Sequence, residues 1–134
     1  MADSRVSVLI VDDQAPFRRA AAGVVRVTRG FDVAGEAVSG EEAVELAKAL
    51  VPQLELMDIN MGSISGIEAT RRITASAPDV VVVLLSTYQV DDLRADAASS
   101  AAVAYLNKEE FGPQVLQDAW SRRGSGRLSG PRAP

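Results

Sequence analysis

The chain contains no cysteine and no histidine among its 134 residues. Without cysteine there is no disulfide framework and no thiolate site, which fits a reducing compartment. Without histidine there is no His-based triad, no imidazole metal site and no phosphohistidine carrier in the chain. Long apolar runs are missing too, and none approaches the ~20 residues that a membrane span requires. The opening residues, Met1-Ala2-Asp3-Ser4-Arg5, lack the basic start and apolar stretch of a secretory signal. The expectation is a soluble, cytoplasmic protein with no membrane contact. Basic charge is scarce and unevenly spread. Residues 122–134 hold four arginines and no acid, so the other 121 carry 10 basic and 18 acidic groups, a net of −8. An acidic body argues against non-specific DNA binding, which depends on neutralising phosphates.

What is present suits one soluble domain. The length matches a single domain, and 47% hydrophobic with 24% charged residues is ordinary for a globule. Short β-branched runs alternate with amphipathic segments. Val6 to Val11 reads as a buried strand, followed by a helix over 15–28 with Phe17, Ala20, Ala21, Val24, Val25 and Thr28 inward. Asp32 to Ala37 is a second strand. Ser39 and Glu42 stand at capping-box spacing before a helix whose apolar face is Ala43, Leu46, Ala47 and Leu50, and Pro52 ends it. Leu54 to Asp58 is the third strand and Gly66 to Ala75 the third helix. Val80 to Leu85, six consecutive apolar residues, suits a central strand covered on both faces. Asp91 to Ser100 is an Ala-rich helix and Ala102 to Leu106 a fifth strand. A last helix over Pro113 to Arg123 turns Val115, Leu116, Ala119 and Trp120 inward. The domain is expected over residues 5–123. Residues 124–134, rich in Gly, Ser, Pro and Arg, form a tail with too few apolar residues to fold.

This alternation is (βα)₅, a doubly wound parallel sheet whose right-handed crossovers put helices on both faces. Ligands bind such sheets beyond the carboxyl ends of the strands. The first strand ends in Asp12-Asp13, the third in Asp58, the fourth in Ser86-Thr87, and the fifth runs on to Lys108. Three clustered carboxylates repel one another and either protonate in part or bind a cation. Mg²⁺ takes oxygen ligands, commonly one or two carboxylates with substrate phosphate. A carboxylate nucleophile, a cation, a lysine and a hydroxyl donor are what phosphoryl transfer needs.

With these motifs in this order, the chain resembles the response-regulator receiver domain over residues 5 to about 121. The resemblance rests on Val11-Asp12-Asp13, Leu56 to Met61, Leu84-Leu85-Ser86-Thr87 and Tyr105-Leu106-Asn107-Lys108, and is nearest to NarL/FixJ-type regulators. It implies the flavodoxin-like strand order 2-1-3-4-5. It implies that Asp58 accepts a phosphoryl group from a sensor histidine kinase. Asp13 would ligate Mg²⁺ directly, Asp12 through water, and the backbone carbonyl of Asn60 would complete the protein ligands. Ser86, with Thr87 beside it as a competing donor, would bond a phosphoryl oxygen, and Lys108 another. Tyr105 would swing inward as Ser86 moves, altering the face formed by the last two helices and the fifth strand. That face would engage an output domain, a partner protein or a second copy as a homodimer.

Four positions depart from the family pattern. Gly62-Ser63 replaces the usual Pro-Gly and loosens the loop after Asp58. Glu109, not proline, follows Lys108, which argues against a cis bond there, and Glu109 and Glu110 could compete for the lysine's charge. Glu55 lies within a strand where an apolar side chain is expected, with Arg71 or Arg72 as candidate partners. Ala101 stands at a turn where glycine is usual. Bland readings sit beside the sharp ones: Asp12-Asp13 could cap a helix, and Tyr105 and Trp120 could be core aromatics. Two other functions compete. One is a receiver-like interaction module that works without phosphorylation. The other is a flavodoxin-like FMN binder, against which Asp12-Asp13 would repel the phosphate.

Overall fold

The computed structural model describes residues 5–62, 64–87 and 101–123. Five strands, β1 (Val6–Val11), β2 (Phe31–Ala37), β3 (Leu54–Asp58), β4 (Val81–Ser86) and β5 (Ala104–Asn107), form one parallel sheet in the order β2-β1-β3-β4-β5. Helices α1 (Ala15–Val27), α2 (Gly40–Leu50) and α3 (Gly66–Ser76) and a C-terminal helix (Pro113–Ser121) cover it. The Ala-rich helix expected over Asp91 to Ser100 and the tail 124–134 lie outside the described residues. The observed elements match the expected ones to within one or two residues.

Strand alternation sorts the core into two layers. Val8, Ile10, Leu54, Leu56, Val83 and Leu85 face α1 and the C-terminal helix, with Ala21, Ala22, Val25, Leu116 and Ala119 packed against them. Leu9, Val11, Met57, Val82 and Leu84 face the other way, onto Ala43, Ala47, Ile67 and Ile73 of α2 and α3. β1, β3 and β4 are therefore buried on both faces, as their continuous apolar runs require. Trp120 packs edge-on against Phe31, 6.3 Å between ring centroids, as a core aromatic.

Local chemistry explains the helix ends. Ser39 Oγ accepts from the Glu42 N–H, and Glu42 Oε1 accepts in return from Val38 N–H rather than from Ser39's own. The capping box is thus displaced by one residue. Ser65 caps α3 in the same way through Glu68 N–H. On α1 the expected inward Ala20 is exposed, and Ala22 is buried in its place. Three consecutive alanines offer no chemical contrast to fix the phase of the helix.

Two departures from the family pattern leave physical traces. Ala101 has φ 79°, in the left-handed region where a Cβ is strained. Glu55 is completely buried, between Leu9 of β1 and Val82 of β4. Neither of its carboxyl oxygens has a hydrogen-bond partner among the described residues. The partners expected for it are engaged elsewhere: Arg71 and Arg72 are exposed on α3 and pair with Glu68. Burial pushes the Glu55 carboxyl from 4.5 up to about 8.

Glu55 is therefore protonated in the fold and ionised in the unfolded chain across the neutral range. Its contribution is least harmful below pH 4.5 and worsens as pH rises to about 8. Glu55→Val is expected to stabilise the domain. Its advantage over wild type should grow by roughly 3–5 kcal/mol between pH 4.5 and 8, read from urea denaturation at several pH values. A gap independent of pH would contradict this reading. Ala101→Gly relieves backbone strain at an entropic cost, and should stabilise by about 0.5–1 kcal/mol in the same assay.

Candidate functional site

The carboxyl edge of the sheet gathers the expected residues from separate strands. Asp12 follows β1 directly and is fully buried; Asp13 beside it is exposed. Asp58 ends β3, with only 4% of its surface exposed. One carboxyl oxygen from each of the three lies within 4.8 Å of the others. Lys108, one residue past β5, brings its Nζ to 2.6 Å from Asp12 Oδ2 and 3.3 Å from Asp58 Oδ1. Its side chain is 9% exposed. By alternation, Asp12, Asp58 and Lys108 all stand on the α1 side of the sheet.

Several groups that the motif reading passed over hold this arrangement. Asp12 Oδ1 accepts from Gln14 N–H at 2.8 Å. Gln14, not an aspartate, is the N-cap residue of α1, and it makes no side-chain cap bond. Arg18 donates to the Asp12 carbonyl at 2.8 Å and pairs with Glu36 of β2 at 3.2 Å. Asn60 N–H reaches Asp58 Oδ1 at 3.4 Å, a long contact. Gly66 N–H donates to the Ile59 carbonyl, and a methyl group on Gly66 would run into the Asp58 carbonyl. The glycine that opens α3 lets that helix start against the backbone of Asp58. A glycine at a helix start was the available sequence signal for this close approach.

Ser86 and Tyr105 share the opposite sheet face, on adjacent strands. Leu84 is opposite Tyr105 and Ser86 is opposite Asn107, so the two are diagonal neighbours. Ser86 is buried, one residue beyond Leu85, the cross-strand partner of Asp58. Tyr105 is half-buried against the α2/α3 layer. Thr87 is exposed and lines, with Gln14, Phe17, Lys108 and Glu109, an open cleft of about 380 Å³ beside the acids. The Lys108–Glu109 peptide is trans, as no described peptide bond is cis. Glu109 and Glu110 are exposed, and the ion pairs of Lys108 are with Asp12 and Asp58.

Electrostatics follow from this geometry. Burial raises the Asp58 carboxyl to about 6, and the charge of Asp12 adds to the rise; Lys108 and the Asn60 N–H oppose it. The three acids offer hard oxygen donors only, one of them open to solvent, on a buried base. That donor set suits Mg²⁺, which keeps several waters. A buried carboxylate beside an ammonium and a cation site can act as a nucleophile toward phosphorus.

A parallel sheet in this order, with an acid cluster and a lysine at its carboxyl edge, defines a two-component receiver module. Residues 8–120 match the response regulator receiver domain family, and the chain belongs to it. It is 33% identical over 126 residues to the transcriptional regulatory protein LnrK of Bacillus subtilis, spanning 94% of this chain and 57% of that protein. It is 35% identical over 111 residues to the response regulator UvrY of Escherichia coli K12, spanning 83% of this chain and 51% of that protein. The chain thus spans about half the length of these curated relatives. Among solved structures, the response regulator domain of Thermotoga maritima CheB superposes with a TM-score of 0.81 at 27% identity, over 90% of this chain and 97% of that one. A LuxR-family response regulator from Aurantimonas shares the fold, with a TM-score of 0.84 at 23% identity, over 96% and 91%. No helix among the described residues is long and apolar enough to cross a membrane.

In the metal-free protein the Asp58 carboxyl should titrate near pH 6, followed by ¹³C NMR of labelled aspartate. Lys108→Met should raise the midpoint by removing an attractive charge, and Asp12→Asn should lower it by removing a repulsive one. A midpoint near 4 would contradict the burial argument.

Proposed function

We propose that Asp58 accepts a phosphoryl group from the phosphohistidine of a sensor kinase, and that this switches a partner-binding face. The observation that supports this most directly is the buried Asp58 carboxylate, facing the Lys108 ammonium at 3.3 Å inside a three-acid cluster. A carboxyl oxygen of Asp58 attacks phosphorus as the P–N bond breaks. The electron pair leaves with the imidazole nitrogen, and Asp58 becomes an acyl phosphate. Lys108 pairs with one phosphoryl oxygen and Ser86 bonds another, with Thr87 as a second hydroxyl at the rim. Asp13, Asp12 through water, Asp58 and the Asn60 carbonyl would hold Mg²⁺, which supplies neutralising charge to the transferring oxygens.

The added charge, close to two units, draws Ser86 toward the site. The diagonal placement of Ser86 and Tyr105 on one sheet face supports their acting as a coupled pair. The receiver spans residues 5–123 and acts in the cytoplasm. Its output passes through the face around β5 and the C-terminal helix, to an output domain, a partner protein or a second copy.

Mass spectrometry after treatment with acetyl phosphate and Mg²⁺ tests the acceptor. Wild type should gain one phosphoryl group and Asp58→Ala none. A gain in both proteins would overturn the assignment. An unmodified wild type, with Asp58→Asn still binding its partner, would favour the phosphorylation-independent module.

A further inference from the structure

We propose that Phe17 is a positioning residue for Lys108, holding its ammonium at the site through a contact that is neither a metal ligand nor a phosphoryl acceptor; this rests on the phospho-acceptor reading above. Phe17 lies in the first turn of α1, half-buried at the edge of the core. Lys108 Nζ sits 4.7 Å from the centre of its ring. An ammonium at this distance over an aromatic face is attracted by the ring quadrupole, and more strongly where water is excluded. The lysine side chain is only 9% exposed, although ring and lysine both border the open cleft.

The other partners of Lys108 are the carboxylates of Asp12 and Asp58. Both change state in the proposed reaction: Asp58 becomes a mixed anhydride with phosphate, and both turn toward a cation, Asp12 through water. An ammonium held only by them would have its partners exchanged when it must face a phosphoryl oxygen. The ring attraction depends on no carboxyl's protonation state and offers no lone pair that competes with phosphate. Phe17 thus supplies the constant part of the lysine's environment.

A second contact of the same ring supports this assignment. Phe111 lies 6.4 Å from Phe17, centroid to centroid, at 53°. Lys108 and Phe111 bracket the short 3₁₀ turn Lys108–Glu110, and Phe111 N–H donates to the Lys108 carbonyl. Asn107 Oδ1 caps this turn by accepting from Glu109 N–H at 2.8 Å. Glu109, not proline, directly follows the lysine, so no proline stiffens the turn. One ring on α1 instead grips both of its ends.

A double-mutant cycle tests the coupling. Phosphorylation of Asp58 by acetyl phosphate with saturating Mg²⁺ is timed in wild type, Phe17→Tyr, Phe17→Leu, Lys108→Met and the Phe17→Leu/Lys108→Met double variant. Phe17→Tyr keeps the ring and should stay within about 2-fold of wild type, whereas Phe17→Leu should slow about 5-fold. In the Lys108→Met background, Phe17→Leu should have no further effect. Equal slowing in both backgrounds would mean that the ring serves only the fold, and would overturn the proposal. A second readout needs no phosphorylation, so it separates this proposal from the assignment of Asp58. The Lys108 ε-CH₂ protons should be shifted upfield by the ring in wild type and Phe17→Tyr, and revert in Phe17→Leu. Absence of that shift in wild type would equally overturn it.

Discussion

Two buried carboxylates at the end of a parallel sheet repel each other, and one ammonium between them makes their proximity tolerable. Asp12 and Asp58 reach this edge from neighbouring strands, and Lys108 arrives from the far side of β4. Removing one partner would leave an uncompensated buried charge, which is costly. The arrangement nevertheless leaves Asp58 above the usual carboxylate range, because burial outweighs the lysine. Cation binding is the natural resolution of that residual repulsion. The site is thus poised between ion pairs within the protein and ligands brought from outside.

Around this core the chain uses backbone N–H groups and a guanidinium to fix positions. Gln14 N–H and the guanidinium of Arg18 hold the two ends of Asp12, its carboxylate and its carbonyl. Arg18 also reaches Glu36, tying α1 and β2 to the end of β1. These contacts add no competing acid to the pocket. Glu109 and Glu110, the acids nearest Lys108 in sequence, point away from this role because their turn leaves them exposed.

The strands were legible from the sequence because β-branched runs and strand-end acids carry their own signals. β3 was read to its exact limits, Leu54 and Asp58. Asp12, Asp13, Asp58 and Lys108 were legible because topology sends every strand end to one edge. The strain at Ala101 followed from its missing glycine. Other features required contacts between distant residues. The phase of α1 at Ala20 and Ala22 depends on packing, since identical side chains cannot choose a face. The partnerless state of Glu55 depends on where Arg71 and Arg72 point, and they turn to Glu68. Phe17 read simply as a core residue, because nothing local marks it as the neighbour of a lysine 91 positions later.

The seating of α3 on β3 has a mechanical consequence. With no side chain at Gly66, the helix begins in contact with the carbonyl of Asp58, and Gly66 N–H is tied to Ile59. Close-packed backbone transmits strain and does not absorb it. The α3–β3 unit is therefore a stiff backing: a side-chain displacement at Asp58 would find little room behind it. If Asp58 is phosphorylated as proposed, displacement is left to the other side of the sheet, toward β4 and β5, where Ser86 and Tyr105 lie.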